Sequence, residues 1–171
     1  MFNTIIRNLT GVASERDRYA LWLSLASIGN VLSSQALTNA GLVIGSTTTL
    51  VKTGASVTTA IANGHLVSIP AASNFPAPVG SVPNGTFNIF TFTTDQNGVL
   101  YTNAGTGAAT LGAVQFPQLP IGQALLGFVI INPTGTGTWI GGTTAFNDAT
   151  TIPNTQYIST TGAWDPTIIV Q

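Results

Sequence analysis

Charge is nearly missing from this chain. Past Arg18 only Lys52, Asp95, Asp148 and Asp165 ionise at neutral pH, and His65 is the single histidine. Enzymes bring several titratable groups to one site for proton transfer, metal binding or nucleophile activation. So scant a supply argues against catalysis, and no cofactor or metal site is expected. Only 5% of the 171 residues are charged, against about 25% in ordinary soluble proteins. A net charge of −1 leaves no basic footprint for nucleic acid. It also gives little repulsion between copies, which favours association. Cysteine is absent, so disulfides and thiolate metal sites are excluded and stability must come from packing.

Long apolar runs are missing too. A membrane span needs about 20 residues, and the best stretch, 19–32, is broken by Ser24, Ser27, Gly29 and Asn30. Basic residues precede that stretch and Ser34-Gln35-Ala36 loosely matches a small-residue cleavage site. Glu15 and Asp17 in the leading segment speak against a cleaved signal. No membrane association is expected.

What is present is Thr, Ala, Gly, Asn, Val and Ile, with Pro and Gly as punctuation and 44% apolar residues. That is enough for a core, and the chemistry suits a rigid β-rich building or binding module. Three regions follow: an N-terminal arm with a helix over 1–40, an antiparallel β domain over 41–143, and an extended C-terminal tail over 144–171.

The arm holds five of the nine charges. Ser14-Glu15-Arg16-Asp17 resembles a capping box, with acids suited to a helix N-terminus. Leu21, Leu25, Ile28 and Leu32 then follow at steps of four, three and four, which places them on one helical face. Trp22, Leu23 and Ala26 widen that face. The spacing predicts one principal helix between Glu15 and Ser33. Such a helix packs on its own β domain, or forms an arm or short bundle against other subunits. A membrane-surface role would need a row of Lys or Arg that the polar face lacks. Leu21, Trp22, Leu25, Ile28 and Leu32 are the candidate intersubunit contacts.

From Gly41 onward the pattern is β. Residues 57–62 and 65–69 flank Asn63-Gly64, the favoured two-residue hairpin turn. Residues 86–94 alternate, with Phe87 and Ile89 facing one way and Phe90 and Phe92 the other. Gln96-Asn97-Gly98 turns this strand into 99–102. Residues 42–44, 47–51, 111–116 and 123–132 read as further strands, the last apolar enough to be buried on both faces. Threonine supplies the polar faces while keeping β propensity. Short strands between frequent turns indicate an antiparallel β-sandwich or a barrel-like domain.

Possible chemistry reduces to turns. Gly105-Thr106-Gly107 and Gly135-Thr136-Gly137 precede no helix pattern and are not phosphate loops. Asp95 starts a turn and Asp165 precedes Pro166, so a carboxylate pair with Asp148 has no patterned support; a calcium site shared between loops stays open as a minor alternative, since carboxylates, Asn side chains and carbonyls suffice for it. His65 follows the Asn-Gly turn and is expected exposed. Phe87, Phe90, Phe92, Phe116 and Phe128 fall in strand patterns and read as core. Trp139 and Trp164 lie beside Gly- or Pro-containing loops and are candidate exposed loop or interface aromatics, able to stack on a sugar or fill a partner's pocket, with packing in the core or at a subunit interface as the favoured alternative.

One family resemblance covers about a third of the chain. Residues 116–124 (FPQLPIGQA), 127–137 (GFVIINPTGTG), 141–144 (GGTT) and 147–149 (NDA) look like virion structural proteins of tailed bacteriophages. That group includes capsid decoration (cement) proteins and head or tail fibre modules. The resemblance implies a β module on a virus particle, commonly a homotrimer, and transfers no catalytic residue. The expected function is therefore a structural virion protein on the capsid surface. It would bind the major capsid protein and itself, and bridge capsid subunits. The alternative is a head or tail fibre or adhesin module that binds host surface glycan.

Overall fold

Turn chemistry and strand alternation decide where the chain reverses and which side chains meet. A computed structural model describes residues 15–162. In chain order they form α1 (Glu15–Leu32), β1 (Gln35–Ala36), β2 (Val43–Ile44), β3 (Val51–Lys52), β4 (Thr58–Ala62), β5 (His65–Ile69), β6 (Ser81–Val82), β7 (Asn88–Thr94), β8 (Leu100–Ala104), a 3-10 turn (Leu111–Ala113), β9 (Ala124–Ile131), β10 (Trp139–Ile140) and β11 (Gln156–Ser159). The protein is mainly β and its strand pairs are antiparallel. A four-stranded sheet runs β11-β9-β7-β8 and a three-stranded sheet β1-β4-β5, with the small pairs β10-β6 and β2-β3 beside them. No closed barrel forms among the described residues.

The β4–β5 hairpin follows from Asn63-Gly64. Both residues have positive φ, 51° and 77°, as a type I′ turn demands, and Ala62 pairs with His65. The alternation of β4 then turns Thr58, Ala60 and Ala62 inward, against Val67 and Ile69 of β5. These side chains share one core with Phe90 and Phe92 of β7 and Leu126, Val129 and Ile131 of β9. The three-stranded sheet thus covers one face of the four-stranded sheet. Phe75, Trp139 and Phe146 fill the same core, and each such side chain withdrawn from water stabilises the fold by roughly 1.5–3 kcal/mol.

The central strands β7 and β9 are buried on both faces, which apolar content predicts for β9. Every residue of β7 is buried. Ile89 and the half-buried Phe87 face a second, smaller cluster with Val114 and Phe128, while Phe90 and Phe92 face the main core. In β9, Phe92 pairs with Gly127 but Thr93 with Leu125, so Leu126 is one residue extra. This bulge shifts the alternation: Ala124 and Leu126 face the main core before it, Val129 and Ile131 after it. Gly127 has φ 156°. A Cβ there would overlap the Ile158 carbonyl oxygen and stand 2.6 Å from Leu42 Cδ1. Only glycine lets β11 and Leu42 approach this closely.

Four expectations change. Residues 111–116 are not a strand: Leu111–Ala113 form a 3-10 turn and Gln115 makes an isolated bridge to Thr106. The turn delivers Val114 to the second cluster, while Leu111 stays exposed and lines a groove beside it. Of 47–51 only Val51 is in a strand; Leu50 N bonds Thr47 O at 2.9 Å and closes a turn instead. Residues 144–162 are not a peripheral tail. Phe146 and Ile152 are core residues and β11 is an edge strand of the main sheet. Their weak periodicity reflects side chains delivered by turns. The β domain also starts earlier than residue 41, because Gln35 and Ala36 pair with Ile61 and Ala60.

Candidate functional site

The arm supplies the clearest surface. Across 15–22, and again at Leu25, every described side chain of α1 is exposed. This part of the helix therefore does not lie on its own β domain. Leu21, Trp22 and Leu25 are 42%, 63% and 59% exposed, and Tyr19 stacks on Trp22 with ring centroids 6.4 Å apart. Tyr19 extends the apolar surface beyond the expected stripe. It escapes the stripe because it sits next to the charged first turn. Ile28 and Leu32 lie in the helix, but their side chains fall outside the described residues. So do Ser14 of the expected cap and the C-terminal run Ile168-Ile169-Val170. No described helix is long and apolar enough to cross a membrane.

Trp139 is a correction. It is fully buried, with ring centroids 5.2 Å from Phe90 and 5.4 Å from Phe146. The Gly/Thr-rich turn before it leads into β10, whose two residues alternate: Trp139 inward opposite Val82, Ile140 outward opposite Ser81. Its indole N–H has no partner among the described residues. Trp139 is core, not an exposed contact. Trp164 lies outside the described residues.

The carboxylates serve their own turns. Asp95 Oδ1 accepts from the backbone N–H of Asn97 and of Val99, both at 2.9 Å, and Oδ2 accepts from Tyr101 Oη at 3.1 Å. Partial burial pushes its pKa up, but the Val99, Asn97 and Tyr101 bonds outweigh that and hold it below the usual value. Asp148 Oδ2 accepts from Thr151 Oγ1 at 2.9 Å, and Oδ1 from the N–H of Thr150 at 2.9 Å and of Thr151 at 3.2 Å. The Thr151 hydroxyl and the Thr150 amide lower its pKa. Asp165 lies outside the described residues. Among the described residues no group of three or more His, Cys, Asp or Glu converges. His65 is exposed at the hairpin end.

No known protein family, curated protein or solved structure matches this chain.

Proposed function

We propose that this chain is a structural virion protein that decorates a phage capsid and stabilises it by bridging major capsid subunits. One observation carries the reading. The β domain closes its own core, while α1 presents Tyr19, Leu21, Trp22 and Leu25 to solvent. An apolar helical surface that the described β domain leaves uncovered fits a second protein surface. The 4-3-4 spacing of Leu21, Leu25, Ile28 and Leu32 places an apolar stripe on one helical face and supports self-association, for which the phage resemblance suggests a homotrimer. The phage-like segments 116–124 and 127–137 agree with a particle setting. Copies that bind only the assembled lattice stabilise it by mass action, and so few charges keep the desolvation cost of a wide contact small.

The test is a particle reconstruction together with particles made without the protein. Many copies on the shell, and earlier rupture under heat or osmotic shock when they are missing, are expected. Particles that stay robust without it but fail to adsorb to cells would replace this reading with the fibre or adhesin one. That second reading can no longer use Trp139 as a glycan contact.

A further inference from the structure

Beside the edge strand β8 the chain leaves an open polar cleft of about 580 Å³, within the ~300–1,000 Å³ of small-ligand sites. Its origin is a single proline. Gly105 N bonds Ile89 O at 2.8 Å and Asp95 N bonds Val99 O at 3.1 Å. Odd-numbered residues of β8 therefore bond β7, and Thr102 and Ala104 turn their backbone groups outward. On that outer side Thr106 and Gln115 exchange both backbone bonds, at 3.0 and 3.1 Å. The next bonded pair would be Ala104 with Pro117. Proline has no N–H, so the ladder stops and the two segments part.

We propose that this cleft binds a neutral carbohydrate. Among the described residues no ionisable side chain lines it, so a charged ligand would find no counter-ion among them. What lines it is paired donor and acceptor chemistry: the carboxamides of Asn103, Gln115 and Gln118, the Thr106 hydroxyl, and the outward N–H and C=O of Ala104. Adjacent sugar hydroxyls each donate and accept, and a carboxamide answers both. The side chains of Gln115 and Gln118 are exposed and make no hydrogen bond among the described residues, while Asn103 is steadied by a 3.5 Å bond from Nδ2 to Thr93 Oγ1. Buried Pro117 gives the apolar floor against which the C–H face of a sugar packs, while the half-buried Phe116 ring is held against Phe128 with centroids 5.2 Å apart. An added peptide strand fits less well, because the free edge is short. Thr106 is already paired at one end, and at the other the Thr102 hydroxyl bonds Pro76 O at 2.7 Å. The site uses no residue of α1, so it is independent of the capsid reading. On a particle carrying many copies, weak single sites would act together.

Isotope-labelled full-length protein titrated with lactose, maltotriose and chitobiose tests this by nuclear magnetic resonance. At least one sugar should shift the Ala104 amide and the side-chain amides of Gln115 and Gln118. The double variant Gln115→Ala/Gln118→Ala should bind it about tenfold more weakly, as the loss of one or two hydrogen bonds implies. Its melting temperature should match the parent, since both side chains are unbonded among the described residues. Absence of those shifts with all three sugars, or undiminished binding by the double variant, overturns the proposal. Protection of the Ala104 amide by an extended Thr-Val peptide, in place of any sugar effect, overturns it in favour of strand addition.

Discussion

Asn63 Nδ2 donates to Gln96 Oε1 at 2.7 Å and so ties the tips of two hairpins from different sheets. The β4–β5 turn is Asn63-Gly64, and Gln96 precedes the second Asn-Gly pair, Asn97-Gly98, with Gly98 at φ 79°. Two turns chosen for local backbone geometry thus also clamp the three-stranded sheet onto the four-stranded one.

Asn63→Ala should therefore cost more than Gln96→Ala. The first puts an ordinary residue at φ 51° and removes the clamp, a loss of about 1–2 kcal/mol. The second removes only an exposed hydrogen bond, worth at most about 1 kcal/mol. Urea unfolding of both variants checks the order. Equal losses would mean that the clamp, not the turn, dominates.

Residue pattern exposes some of this architecture and hides the rest for definable reasons. The turn at Asn63-Gly64, the opposed faces of Phe87/Ile89 and Phe90/Phe92, and the doubly buried β9 are local consequences of sequence, and each is where the pattern puts it. Trp139 was misplaced because Gly and Thr neighbours signal a loop, whereas its position is decided by pairing with distant Val82. Residues 144–162 lack periodicity because Asp148 and the turns around it, not a long strand, carry Phe146 and Ile152 into the core. The cleft beside β8 was illegible since it depends on Pro117 meeting Ala104 across a ladder that no local pattern announces.

Gly127→Ala should be the most damaging single-methyl change in the sheet. The added carbon meets the Ile158 carbonyl and Leu42 Cδ1, and the backbone at φ 156° suits glycine alone. A loss of about 3 kcal/mol or more is expected. Hydrogen exchange should show β11 releasing first. An unchanged melting temperature would contradict the close packing of β11 on the bulge.

Core placement of Trp139 makes two substitutions differ. Trp139→Ala removes the contacts with Phe90 and Phe146 and should cost about 3–5 kcal/mol. Trp139→Phe keeps an aromatic ring and removes an N–H that has no partner among the described residues, so about 1–2 kcal/mol is expected. Denaturant melts distinguish them. Neither change should alter surface recognition while the fold persists.

Stability should be flat near neutrality and fall at both extremes of pH. Asp95 and Asp148 have pKa values below the ordinary 3.8. Folding thus favours their ionised forms, and that stability is present above the ordinary value and lost as pH falls through the lower folded values. Tyr157 is pushed by burial to about 12, against an ordinary 10.0. Tyr101 is raised by its bond to Asp95 and then by burial. Their protonated forms are favoured on folding, so that stability is full below pH 10 and lost as pH rises toward 12. Calorimetric scans across pH should show this plateau, and Asp148→Asn should flatten the acid limb.

The arm gives the prediction that bears most on function, and the structure decides where to cut. Gly64 N bonds Ser33 O at 2.8 Å, Asn63 N bonds Ser34 Oγ at 3.0 Å, and Gln35 and Ala36 pair with β4. Removing residues 1–35 would therefore strip part of the three-stranded sheet, whereas removing 1–32 spares it. A milder probe is the triple change Leu21→Ser/Trp22→Ser/Leu25→Ser. These side chains are exposed in the single chain, so each substitution should move domain stability by no more than about 0.5 kcal/mol. Self-association, read by sedimentation, and shell occupancy, read on purified particles, should both collapse in the triple variant and in the 1–32 deletion. If the triple variant instead unfolds the β domain, the helix packs on its own chain. If both proteins still decorate shells fully, attachment lies in the β domain and the arm serves another purpose.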